Sequence, residues 1–111
     1  MGSTDQTLPS GQRRRQHPRC PVSIDCQVDG LSTGLSTRLS ELGIGGCFVD
    51  TRTAFGTGGR ITITAALPSD KLVFTGTVLY ELCGYGFGVG FDALPERTHE
   101  QLEQFLREAA Q

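Results

Sequence analysis

The chain has 111 residues, 37% of them apolar, a formal charge of −2 and a pI of about 5.6. That is enough for one domain with one modest core and too little for two, and the mildly acidic balance argues against a protein that coats a nucleic acid polymer with a broad cationic face. No run of about eighteen apolar residues occurs and residues 1–12 carry no apolar h-region, so no membrane insertion and no secretion signal are read, and a cytoplasmic domain is expected.

Residues 1–12 are rich in Gly, Ser, Thr, Pro and Gln, a composition that cannot bury enough surface to offset its ordering entropy, and they read as a flexible tail before a single domain over 13–111. The densest positive cluster follows, Arg13-Arg14-Arg15-Gln16-His17-Pro18-Arg19, and it contains Arg15-x-x-x-Arg19. Guanidinium forks so spaced on a short, Pro-stiffened tether can grip a phosphate or the O6/N7 edge of guanine from two directions. The cluster stands against an acidic remainder, which favours a compact phosphate-bearing ligand over a long polyanion.

Val22, Ile24, Cys26 and Val28 then alternate with polar residues, the pattern of a strand with one buried face, and Asp29-Gly30 marks a turn. A second strand is expected over 31–39, with Leu31, Leu35, Thr37 and Leu39 in one phase. Residues 47–51 form a short apolar strand, 60–67 a β-branched one, and 71–80 another in which Gly76 suggests a bulge or bend. Over 84–91 glycines occupy one parity and Tyr85, Phe87, Val89 and Phe91 the other, so one face of that strand is bare backbone, either packed closely or open to a ligand. After Leu94-Pro95, Leu102, Phe105, Leu106 and Ala109 share a helical stripe; the helix starts at a Thr98-His99-Glu100-Gln101 capping box or one turn earlier at Pro95. Six short strands and one terminal helix give a mainly β fold, a small six-stranded antiparallel β-barrel with a C-terminal α-helix over its core.

Catalysis has little support. There is no Ser/His/Asp set and no carboxylate pair, and Asp50 and Asp92 read as isolated turn residues. The four cysteines, Cys20, Cys26, Cys47 and Cys83, form no C-x-x-C pair and so neither a zinc cage nor a redox centre; most are expected in the core. With the aromatic residues assigned mostly to buried parity, the stacking platform of a single-strand binder is missing too. The remaining chemistry lies in 38–46, where Gly43, Gly45 and Gly46 allow a turn whose backbone N–H groups converge on an anion.

The Arg-x-x-x-Arg tether, then an acid and a Gly turn some twenty residues on, then Cys47-Phe48-Val49-Asp50-Thr51 and Gly86-Phe87-Gly88-Val89-Gly90-Phe91, resemble the PilZ family of bacterial cyclic di-GMP receptors over most of the chain. The family's second motif is Asp or Asn, any residue, Ser, two of any kind, then Gly. One register places Glu41, Gly43 and Gly46 at its three named positions; another places Arg38, Ser40 and Gly43 there. The first is preferred because a strand follows its last glycine directly.

The resemblance implies that Arg15 and Arg19 hold phosphate and guanine, that Glu41 accepts from guanine N1–H and N2–H, and that Gly45 and Gly46 let the backbone close on the ligand, with Arg14 a further cation. Glu41 is one methylene longer than the family's acid and Gly43 lacks the serine hydroxyl, which implies weakened affinity. No cofactor is implied beyond the ligand, cyclic di-GMP. Two functions follow: a sensor whose tether orders over the barrel rim and presents a surface to an unidentified protein partner, or a degenerate module that acts through protein contact alone.

Overall fold

The computed structural model describes residues 19–30, 34–52, 56–68 and 70–109. Arg13, Arg14, Arg15, His17 and Leu31 lie outside the described residues, as does the expected tail over 1–12. Six strands, β1 (Arg19–Asp29), β2 (Gly34–Gly43), β3 (Gly46–Asp50), β4 (Arg60–Ala66), β5 (Lys71–Leu82) and β6 (Gly86–Phe91), precede one helix, α1 (Glu96–Ala109). All neighbours pair antiparallel and the sheet closes in the order β1-β2-β3-β6-β5-β4, so the barrel and terminal helix expected from the alternation are both present.

The inward parity of each strand supplies the core. Val28, Leu39, Leu42, Cys47, Val49, Phe87, Val89 and Val78 are fully buried, and Phe74 stacks on Phe91 with ring centroids 4.6 Å apart. Removing such side chains from water at about 25 cal/mol per Å² is the main favourable contribution to a barrel of this size. Cys26 and Cys47 belong to this core. Burial raises the Cys26 thiol to about 11, with the Asp25 and Asp50 carboxylates adding to it. Burial pushes Cys47 higher still, against the opposing pull of the Arg19 guanidinium. Cys20 is half-buried and Cys83 exposed.

The β1 N-terminus, the β2–β3 turn, the β4–β5 turn and the β6–α1 link all lie at one end of the barrel, because Arg19 pairs with Gly43, Gly46 with Gly90 and Ala66 with Lys71. Helix α1 caps this end: Leu102 is fully buried, Phe105 and Leu106 pack on the core, and Gln101 donates to Asp70 of the β4–β5 turn at 3.5 Å. The helix starts after Pro95, whose carbonyl accepts from His99 N–H at 2.9 Å, so the earlier of the two expected starts holds and Thr98 sits inside the first turn. Ala109, expected on the buried stripe, is exposed.

Two expectations change. Strand β2 continues to Gly43, so residues 38–43 are ladder and the turn shrinks to Ile44-Gly45. Gly76 pairs regularly with Ile61 and Phe91, and the bulge expected there falls three residues later, where Val78 pairs with Val89 and Tyr80 with Gly88, leaving Leu79 extra. What requires glycine at 76 is close approach: a Cβ would collide with the Gly90 carbonyl oxygen. Asp92, expected to be isolated, accepts from Arg60 and from Thr75 (2.9 Å), tying the start of β4 and the middle of β5 to the link into α1.

Gly76→Ala is expected to lower unfolding free energy by about 1–3 kcal/mol in urea titrations, as overpacking does; a bulge glycine would tolerate the methyl group. The Arg60 and Thr75 hydrogen bonds hold the Asp92 carboxyl below its ordinary 3.8. A carboxyl depressed in the folded state stabilises above its unfolded value and loses that contribution as pH falls through the folded one. Asp92→Asn should therefore lower the melting temperature at pH 7 by an amount that shrinks as pH falls from the unfolded through the folded carboxyl value, and the pH 7 effect should be smaller in 1 M salt than in 0.1 M.

Candidate functional site

Arg19 opens β1 and points to the outer face of the barrel. Its cross-strand partner is Gly43, which offers no side chain, and the guanidinium runs on over Gly46, where a Cβ would lie 2.8 Å from Nη2. Nη2 ends 3.5 Å from the Val89 carbonyl oxygen of β6, a long hydrogen bond, and Nη1 lies 3.8 Å from Glu41 Oε1. The side chain is only 8% exposed, and Nη1 is buried with no hydrogen-bond partner among the described residues. Burying a charged N–H without a partner is among the more expensive things a fold can do, at about 1–3 kcal/mol or more. A guanidinium held in this way is poised for an acceptor from outside.

Glu41 reaches Arg19 through two irregularities. In the phase of Leu35, Thr37 and Leu39 the next inward residue of β2 would be Glu41. Instead Leu39 pairs with Val49 and Glu41 with Phe48, so Ser40 is an extra residue, Leu42 takes the core position and Glu41 turns outward. Beside it β1 has its own shift between Pro21 and Ile24, which keeps Pro21 opposite Glu41 and sets Arg19 on the same face. The spacing Leu39 to Leu42, three where two is regular, is the trace this leaves in the sequence.

The residues of the preferred register thus come together: Glu41 beside Arg19, Gly43 across from it, Gly46 beneath it, and Gly45 in the adjoining turn. The other register shares Gly43 and has Ser40 at the edge of the same groove as Glu41, but its first residue, Arg38, pairs with Asp25 and Asp50 further along the barrel. Arg14 and Arg15 lie outside the described residues.

A groove of about 630 Å³ leads away from Glu41 along the outer face, lined by Phe48, Asp50, Arg52, Tyr80, Leu82 and Tyr85 among others. Sequence alternation assigned the aromatic residues mostly to the interior. The extra residue Leu79 reverses the parity of β5, so Tyr80 lies outward over Gly88, with Phe48 over Gly86 and their ring centroids 6.3 Å apart. The bare face of β6 is therefore packed by side chains of its two neighbours, and an aromatic surface stands beside Glu41. A separate recess of about 560 Å³, bordered by Asp25, Gln27, Arg38, Thr64 and Lys71, includes none of the residues around Arg19. Among the described residues no three His, Cys, Asp or Glu side chains are grouped to hold a metal, and no helix is long and apolar enough to cross a membrane.

The fold is similar to the PilZ domain of YcgR from Escherichia coli, a structure with cyclic di-GMP, at a TM-score of 0.74 and 18% identity over 87% of this chain and 92% of that one. It is similar to the Bacillus subtilis inhibitor of motility MotI/DgrA (TM-score 0.72, 16% identity), covering 91% of this chain and 55% of that protein, so it spans little more than half of it. It is also similar to the PilZ domain of CeSA from a cellulose-synthesizing bacterium (TM-score 0.66, 14% identity, 85% of this chain and 99% of that one). No curated protein is matched by the sequence. The PilZ domain profile matches residues 13–108, nearly the whole chain, and with the closed barrel and its capping helix this establishes that the chain belongs to the PilZ domain family.

Proposed function

We propose that this domain is a cyclic di-GMP receptor that binds the nucleotide at the Arg19 end of the barrel and passes the signal to a protein partner by surface contact. The observation that carries this reading is the buried Arg19 guanidinium, with an N–H left without an acceptor, set opposite Gly43 and laid over Gly46 next to Glu41. Arg19 supplies charge and a two-pronged donor to phosphate or the guanine O6/N7 edge. The Glu41 carboxylate accepts from guanine N1–H and N2–H. Gly46 lets the Arg19 guanidinium lie against the backbone, Gly45 leaves the adjoining turn without a side chain, and Arg14 and Arg15 of the preceding cluster are assigned as further cations for the same ligand. The role is binding in the cytoplasm, with no bond made or broken.

A competing reading, a PilZ module that works through protein contact alone, draws on one specific feature. Gly43 is buried opposite Arg19 and presents no hydroxyl where the family motif has serine. One missing hydrogen bond is worth about 0.5–1.5 kcal/mol, or up to roughly tenfold in affinity, which weakens binding without abolishing it.

Isothermal titration of the folded protein with cyclic di-GMP decides between the two. Binding is expected, with Arg19→Ala reducing affinity by roughly 100-fold or more, since charge and both donors go together; no heat at millimolar ligand establishes the contact-only module. Gly43→Ser is expected to tighten binding by up to about tenfold. Cyclic di-AMP, which offers a lone pair at N1 where guanine offers a proton, should bind at least roughly tenfold more weakly. Equal affinity for the two would remove Glu41 from its assigned role.

A further inference from the structure

We infer that Leu79 is a positioning residue for Arg19: from the extra position of β5 it lies over Gly90 and closes the far end of the glycine-floored track along which the guanidinium lies. Its effect on the ligand rests on the receptor reading above, to which it adds a residue outside both named motifs of the family and outside the groove beside Glu41.

The strand register sets the two side chains end to end. Arg19 runs over Gly46, which pairs with Gly90 across β3 and β6. Arg19 fills this track from one side, with Nη2 2.8 Å from where a Cβ of Gly46 would stand, and Leu79 fills it from the other, with Cδ1 2.9 Å from where a Cβ of Gly90 would stand. Directly paired positions lie only about 4.5–5.5 Å apart, which brings the isobutyl group to the tip of the fork, one residue from Val89, whose carbonyl accepts from Nη2 at 3.5 Å.

The irregularity in β5 makes this reach possible. Thr77 is the regular partner of Gly90, yet the side chain over Gly90 is that of Leu79. In an unbroken ladder residue 79 would pair with Gly88, further from Arg19; with Tyr80 in that place, Leu79 leans back toward the rim. Leu79 is 54% exposed and the Arg19 side chain 8%, so the leucine meets water at the end of a track where the guanidinium avoids it. Glycines give the fork a floor and no wall. Water entering at the open end would compete for the long hydrogen bond to Val89 and let the fork swing out. An apolar wall keeps the donors fixed and the pull on an anion strong, because charge interactions weaken as the local dielectric rises and a side chain already ordered loses less freedom on binding.

The guanidinium can be read without ligand. In the full chain labelled with nitrogen-15, the Arg19 Nε–H signal is identified by its loss in Arg19→Lys, and its exchange with water is measured by NMR. Leu79→Ala should speed that exchange by at least roughly threefold and, by calorimetry, weaken cyclic di-GMP binding about three- to tenfold, the order expected when one long side chain must be ordered on binding. Leu79→Met, which restores an apolar reach over Gly90, should return both quantities to within about twofold of the parent. In the Arg19→Lys background Leu79→Ala should change affinity by less than about twofold, since no fork is left to position. Thermal unfolding accompanies each variant; Leu79→Thr, β-branched and too short to cover Gly90, takes the place of Leu79→Ala if that variant does not fold, with the same expected effects.

The outcomes separate. Parent-like exchange and affinity in the truncated variant, or a loss of affinity equally large in the Arg19→Lys background, overturns the positioning role and leaves the receptor reading standing. Absence of heat from the folded parent overturns the receptor reading, and the exchange rates, which need no ligand, then decide whether Leu79 holds Arg19.

Discussion

A guanidinium can lie buried on the outside of a β-barrel only if the strands it crosses have no side chains in its path. Arg19 starts on β1 opposite Gly43 of β2, runs over Gly46 of β3, and ends at a backbone carbonyl of β6. Four strands must therefore be adjacent in the order β1-β2-β3-β6, with glycine at position 46 and the bare Val89 carbonyl beneath the guanidinium. Local sequence does not create that alignment. The pairing of β6 beside β3 does, a contact between segments some forty residues apart in the chain. Core packing of Val49, Phe87 and Val89 thereby fixes a charged group on the opposite face of the same strands.

The extra residues in the ladder are the second device on which the site depends. A strand whose inward phase is needed for the core has no freedom to present a particular residue outward, because shifting register moves every side chain to the other face. One inserted residue reverses the phase at one point and leaves the rest intact. At Ser40 this brings Glu41 out to Arg19 while Leu42 returns to the core, and at Leu79 it lays Tyr80 over β6. Both irregularities serve the same outer face, so charge and aromatic surface lie side by side.

Glycine in β6 serves packing, in a sense the bare parity of Gly86, Gly88 and Gly90 leaves open when it is read alone. Phe48, Tyr80 and Leu79 lie across these positions. The rings are then supported from beneath and half-exposed above, an arrangement that bulky residues in β6 would prevent. The apolar surface so created is contiguous with Glu41, which links the chemistry of the rim to the middle of the barrel wall.

The sequence by itself determined the number and nature of the elements. Strict alternation in Val22, Ile24, Cys26 and Val28, β-branched runs at 60–67, and the stripe Leu102, Phe105 and Leu106 follow from periodicity, and periodicity is a local property of strand and helix geometry. Family membership was also legible there, in the order of Arg15-x-x-x-Arg19, Glu41 to Gly46 and the alternating glycines. Only the tertiary structure decided where the turn ends, which of two motif registers gathers around Arg19, and which aromatic rings face outward. Those outcomes depend on single-residue shifts in strand pairing and on contacts between residues as far apart as Arg19 and Val89, and both are set by how six strands close on one another. No alternation pattern records that closure, because each strand's pattern is the same whichever neighbour it meets.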